Sequence, residues 1–93
     1  MARLVEVSPR FQEHARRAKL DTEQRRALGL AMGRLGRAHD LPGPGDYAAL
    51  IPPNRLSYVH RLPGENLWLW YSFTEAYVLF SRLTVSPPVP LDD

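Results

Sequence analysis

The chain opens on Leu4-Val5-Glu6-Val7, a short polar–apolar alternation that predicts a first strand. Ser8-Pro9 then reads as a helix start. Ser8 serves as N-cap, and Pro9 takes the first helical position, where its missing N–H costs nothing. Phe11, Ala15 and Ala18 follow at helical spacing as an apolar stripe, with Arg10, Glu13, Arg16 and Arg17 elsewhere around the helix. Leu20-Asp21-Thr22 breaks and restarts the pattern, and Asp21 with Gln24 three residues on makes a capping-box pair. Ala27, Leu28, Ala31, Met32 and Leu35 form the stripe of the second helix. Its glycines, Gly29, Gly33 and Gly36, each weaken it by about 1 kcal/mol against alanine and suggest close approach to a neighbouring element.

Leu41-Pro42-Gly43-Pro44-Gly45-Asp46 fits neither helix nor central strand, and the irregular stretch is expected to run on to Ile51-Pro52-Pro53-Asn54. Tyr47, Ala49, Leu50 and Ile51 would pin it to the core. Beyond it the period returns to two. Leu56 to Leu62, Leu67 to Phe73 and Ala76 to Val85 read as strands, with turns at Pro63-Gly64-Glu65-Asn66 and Thr74-Glu75. Connections this short force antiparallel neighbours. The tail Ser86-Pro87-Pro88-Val89-Pro90-Leu91 is extended and ends in Asp92-Asp93. The expected architecture is α+β, in the order β-α-α-β-β-β, with two helices packed on a C-terminal antiparallel sheet.

A length of 93 residues implies one domain spanning 1–93 and one shared helix–sheet core. A hydrophobic share of 44% and a charged share of 24% suit a globular protein. The chain has no cysteine, which excludes disulfides, thiolate metal sites and a catalytic thiol, and suits a reducing cytoplasm. No stretch approaches the roughly 18 apolar residues of a membrane span, and Met-Ala-Arg-Leu-Val-Glu-Val lacks a signal peptide's apolar region, so a cytoplasmic location with no membrane partner is expected. The net charge is only +2, but residues 1–40 hold nine bases against five acids and the remainder three against five. All but one of the twelve bases are arginine, which favours phosphate or carboxylate partners; the alternative is an ordinary solvated helix surface.

The element order resembles that of the RelE/ParE superfamily of bacterial toxins. The resemblance covers nearly the whole chain and is carried by Val5-Glu6-Val7-Ser8-Pro9-Arg10-Phe11, by Tyr58-Val59-His60-Arg61-Leu62, by Asn66-Leu67-Trp68-Leu69-Trp70-Tyr71 and by Val78-Leu79-Phe80-Ser81-Arg82-Leu83-Thr84. It implies the toxin of a type II toxin–antitoxin system, silenced by a cognate antitoxin that wraps it. RelE-like members enter the ribosome and cut mRNA without a metal, whereas ParE-like members poison DNA gyrase and cut nothing. By the same resemblance Tyr58 and His60 fall near a pair of basic residues of RelE-like toxins, and Trp68 near a phosphate-gripping arginine. Where those toxins carry further bases and a tyrosine after the last strand, this chain has Ser86-Pro87-Pro88-Val89-Pro90.

Metal-free RNA cleavage needs an activated 2′-hydroxyl, a stabilised phosphate and a protonated leaving oxygen, which a sheet face can supply from a general acid or base and nearby arginines. Strand alternation puts Tyr58 and His60 on one face, and sets Trp68, Trp70 and Ser72 against Leu67, Leu69, Tyr71 and Phe73. The latter set reads as core, which leaves the two tryptophans exposed for base stacking or antitoxin contact. The alternative is that the C-terminal tail, or a second copy in a homodimer, covers them. The imidazole of His60 suits proton transfer near neutral pH, or a structural hydrogen bond at the core edge. Arg55, Arg61 and Arg82 are the phosphate candidates, each equally readable as surface charge. Arg61 points away from His60, so the two share a site only across a bulge. Strict alternation would put Arg82 beside Val78 and Phe80.

The catalytic candidates are therefore His60, Tyr58, Arg61 and Arg82, and the RNA-binding candidates Arg55, Trp68 and Trp70. His14 and His39 fall on different helices with no metal-ligand spacing, and Gly43-Pro44-Gly45 lacks the features of a phosphate loop, so neither metal nor cofactor is expected. A ribosome-dependent mRNA endoribonuclease leads. A gyrase-directed binder is the alternative, and a module that keeps the fold without toxicity the third reading.

Overall fold

The computed structural model describes residues 3–51 and 55–88. Its elements are β1 (Leu4–Val7), α1 (Pro9–Ala18), α2 (Thr22–Arg37), β2 (Tyr47–Ile51), β3 (Arg55–Arg61), β4 (Trp68–Phe73) and β5 (Tyr77–Thr84). The strands form one sheet in the order β1-β5-β4-β3-β2. β1 runs parallel to β5, and every other pair is antiparallel. The helices pack on one face of the sheet, so the expected α+β architecture holds with two corrections. The sheet is mixed, because β1 joins its far edge. It also has a fifth strand, because Tyr47–Ile51 forms a hairpin with β3 where the sequence reading placed irregular chain. The expectations for Pro52-Pro53-Asn54 and for residues 89–93 lie outside the described residues.

The helix signals in the sequence are realised atom by atom. The Ser8 hydroxyl accepts from the Phe11 amide at 3.1 Å and donates to the Ser81 carbonyl at 2.9 Å, so the cap of α1 is also its anchor to β5. At α2 the Asp21 carboxylate accepts from Gln24 N–H at 2.8 Å, and the Gln24 side chain accepts from Asp21 N–H at 3.0 Å, completing the capping box. Of the three helical glycines only Gly36 meets the close approach expected of them. A Cβ there would lie 2.7 Å from the Val5 side chain, whereas one on Gly29 would meet nothing and one on Gly33 would touch the mobile end of Arg37.

Two apolar clusters occupy the two faces. Under the helices lie Phe11, Leu28, Ala31, Leu35, Leu62, Leu67, Leu69, Tyr71, Val78, Phe80 and Leu83. On the opposite face Ala49, Ile51, Val59, Trp68 and Trp70 pack together with Tyr47. This second cluster corrects the expectation of exposed tryptophans: Trp68 and Trp70 are each only 8% exposed. β2 packs against them through Ala49 and Ile51, and the chain after β5 reaches Tyr47 of the same cluster. The Tyr47 hydroxyl donates to the Pro88 carbonyl at 3.0 Å, and Trp70 Nε1–H donates to Thr84 Oγ1 at 3.2 Å. Burying two indoles is worth a few kcal/mol, which makes the fifth strand the natural consequence of Trp68 and Trp70 rather than an ornament.

A bulge fixes what β5 presents. Trp70 pairs with Arg82 and Tyr71 with Phe80, so Ser81 is an extra residue with no partner on β4. Before it Val78 and Phe80 face the helices; after it Leu83 does. Arg82 is thereby turned to the tryptophan face, correcting the strict alternation, and its guanidinium carbon lies 5.9 Å from the centre of the Trp70 ring.

Candidate functional site

β1 has four residues and β5 eight, so β1 covers β5 only from Tyr77 to Phe80. From Ser81 onward no strand among the described residues pairs with this edge of β5, and the first turns of α1 stand beside it. The notch opens a cavity of about 330 Å³ lined by Ser8, Arg10, Ile51, Arg55, Leu79, Ser81 and Arg82. Three of these seven residues are arginines and none is acidic. The ion pairs among the described residues are Glu13 with Arg16, Glu13 with Arg17, and Asp46 with His60, so none of the three arginines has a carboxylate partner among them.

Arg82 is half-buried. Burial, and after it the charge of Arg10, lowers the pKa of its guanidinium, which nonetheless stays cationic at any physiological pH. Crowding three arginines around one cavity is unfavourable without a counter-charge, and a phosphate group is a partner whose geometry their forked donors match. Stacking on Trp70 holds the Arg82 head in place, and the bulge at Ser81 aims it.

His14 stands one helical turn beyond Arg10. Its Nδ1 accepts from the Leu83 backbone N–H at 3.4 Å, an amide on this edge of β5. Burial and the charges of Arg82, Arg10 and Arg17, in that order, lower its pKa, against a smaller opposing effect of Glu13. The ring is accordingly neutral, with its proton on Nε2.

The nominated residues divide between the two faces. Arg55 and Arg82 meet in the notch, with Trp70 beneath Arg82. Arg61 lies on the same face over Trp68, 5.6 Å from its ring centre. Tyr58 and His60 are on the helix side, because His60 pairs with Leu69 and Tyr58 with Tyr71 in the β3–β4 register. Tyr58 stacks among Tyr71 and Phe73 at centroid distances of 6.0 and 5.5 Å. His60 Nδ1–H donates to Asp46 Oδ1 at 2.7 Å, and the Tyr71 hydroxyl donates to Asp46 Oδ2 at 2.5 Å. The Asp46 side chain is only 2% exposed, and Gly43 N–H also reaches it at 3.2 Å. Burial, then the hydrogen bond to Asp46 and its charge, push the Tyr71 hydroxyl's pKa well above the ordinary tyrosine range. One bulge does intervene, but in β5, so His60 and Arg61 stay on opposite faces and no compact site unites the four catalytic candidates.

Sequence reasoning missed Arg10, His14 and Asp46. The first two carried a usable signal, since Arg10, His14 and Arg17 at i, i+4 and i+7 share one helix face. His39 carried none; it is exposed and lies past the end of α2, not on a helix.

The architecture is α+β, two helices against a five-stranded mixed sheet, which is a RelE-like fold. The solved structure of YafQ from E. coli strain BL21(DE3) is similar to this chain: the TM-score is 0.64 at 21% identity, over 87% of this chain and 90% of that one. At that identity the likeness is one of fold. No family model matches the chain, and no curated protein matches its sequence. Among the described residues no helix is long and apolar enough to cross a membrane.

Proposed function

We propose that the protein is the toxin of a toxin–antitoxin pair and acts on RNA, as a metal-independent endoribonuclease that cuts mRNA on the ribosome. The observation that carries this reading is the notch, three arginines around one cavity with no acidic residue in its lining among the described residues. In cleavage a 2′-hydroxyl gives its proton to water and attacks the neighbouring phosphorus, closing a 2′,3′-cyclic phosphate and expelling the 5′-oxygen, which takes a proton from water; the charge that grows on the phosphoryl oxygens is what Arg82, Arg10 and Arg55 would stabilise. Arg82 is the central residue of this reading, being the one that is half-buried, stacked and aimed by a bulge. Arg61 and the aromatic floor of Trp68 and Trp70 extend the same face as a platform for RNA, with the indoles acting from below through the guanidiniums. His60 is assigned to holding the loop at Asp46, and Tyr58 to packing against Tyr71 and Phe73, rather than to proton transfer. A cognate antitoxin would silence the toxin by covering the notch.

The test is induction of the chain in a bacterial host with pulse labelling of protein and DNA synthesis and mapping of transcript ends. Protein synthesis should stop first, with transcripts cut within their coding regions, and Arg82→Ala should lose most of the effect while the protein still accumulates folded. An initial collapse of DNA synthesis with intact transcripts would instead indicate the gyrase-directed mode and overturn the proposal. So would undisturbed growth.

A further inference from the structure

A second hollow lies farther along α1 and β5. It has a volume of about 360 Å³ and is lined by His14, Arg17, Ala18, Leu83, Thr84, Val85 and Ser86. The two hollows lie on successive turns of α1 and successive residues of β5: Arg10 and Arg82 line the first, His14, Arg17 and Leu83 the second. Their chemistry differs. The first offers three cations. The second offers an apolar floor in Ala18 and Leu83, hydroxyls in Thr84 and Ser86, one arginine already shared with Glu13, and a neutral histidine.

An apolar floor edged by hydroxyls and neutral donors suits a nucleobase and its sugar, not a second bare phosphate. The His14 ring is oriented for this work. Leu83 N–H occupies Nδ1, so Nε2–H is left as a donor in a fixed frame. The groups facing it are Arg10, Glu13 and Arg17 on α1 and Arg82 on β5, and the three arginines oppose its protonation. The ring therefore donates without adding a charge.

We propose that the α1–β5 hollow is a nucleotide subsite, in which His14 Nε2–H and Arg17 hold the nucleotide next to the one whose phosphate sits at Arg10, Arg55 and Arg82. This rests on the RNA reading of the notch and deepens it. The notch grips the backbone at one phosphate, and the hollow sets which neighbouring nucleotide lies beside it. His14 is a positioning and specificity residue in this scheme, and touches no reacting atom.

The experiment uses the full ¹⁵N-labelled chain titrated with inorganic phosphate and with uncleavable 2′-O-methyl trinucleotides. Phosphate should shift amides of the notch alone, around Ser8, Arg10, Arg55, Ser81 and Arg82, and trinucleotides should also shift Leu83 to Ser86. His14→Ala and Arg17→Ala should each weaken trinucleotide binding about ten-fold, the loss of one hydrogen bond to a charged or polar partner. Phosphate binding should not change. His14→Ala also uncaps the Leu83 amide, so His14→Gln, which keeps a neutral N–H donor, should restore most of the trinucleotide affinity. If phosphate binds but trinucleotide affinity is indifferent to His14 and Arg17, the subsite is refuted and the notch stands. If neither probe binds, both fall together.

Discussion

At the scale of single residues, the buried Asp46 carboxylate decides what His60 and Tyr71 do. Three donors converge on it from β3, β4 and the preceding loop: His60 Nδ1–H, the Tyr71 hydroxyl and Gly43 N–H. A carboxylate so enclosed is tolerable only while its lone pairs stay occupied. Tyr71→Phe removes one donor and keeps the ring, and should cost about 1–3 kcal/mol near neutral pH, read as a lower midpoint in urea unfolding. The cost should shrink in alkali. The folded-state pKa of Tyr71 lies above its unfolded value near 10, so its contribution is present below pH 10 and fades as pH climbs toward the folded value. Unfolding midpoints of the two proteins should therefore converge above pH 10, and parallel curves would show that the hydroxyl is not held as described. His60→Ala should lower stability in the same way while leaving activity per folded molecule close to that of the parent protein.

Among the elements, what was legible in the sequence was whatever a local signal encodes. Ser8-Pro9 and Asp21 with Gln24 named both helix starts because a cap is chemistry within three residues. Three strands were legible to within a residue because Gly64 and Thr74-Glu75 mark tight turns. β2 was not, since five residues between a Pro/Gly loop and Pro52-Pro53 carry too short an alternation to read; only its partners, Val59 and the tryptophans, reveal what it covers. The bulge at Ser81 was equally illegible, as it is a matter of register between β4 and β5, and it moved Arg82 to the other face. The Asp46 cluster joins residues 14 and 25 positions apart, with no pattern along the chain to announce it. The glycines of α2 give a test at this scale. Gly36→Ala drives a Cβ into Val5 where α2 crosses β1, and should destabilise by about 1–3 kcal/mol. Gly29→Ala faces open space in a helix interior and should stabilise by about 0.5–1 kcal/mol. Thermal midpoints moving in opposite directions would establish the packing of α2 on β1; equal shifts would refute it.

For the whole molecule the question is which of its many bases act on a polyanion. The first forty residues carry the excess of arginine, yet part of that charge is engaged locally: Arg16 is bridged to Glu13, and Arg3 donates to the Thr74 and Ala38 carbonyls. Arg10 is the base from that half which faces the notch, where it meets Arg55 and Arg82 from the sheet. A protein that bound RNA through diffuse surface charge would release counterions in proportion to most of its twelve bases. One that binds through the notch should release far fewer. For single strands the logarithm of affinity falls with the logarithm of salt at about 0.7 per phosphate neutralised, so the one phosphate gripped in the notch predicts a slope of about −0.7. Arg82→Ala should flatten it along with the affinity, and His14→Gln should leave it unchanged, because a neutral donor displaces no counterion. The measurement is fluorescence anisotropy of a labelled uncleavable oligonucleotide between 50 and 200 mM salt, on the order of the range in which such slopes are read. A slope several-fold steeper, or one insensitive to Arg82, would mean that the helical arginines bind RNA collectively and that the notch is incidental to it.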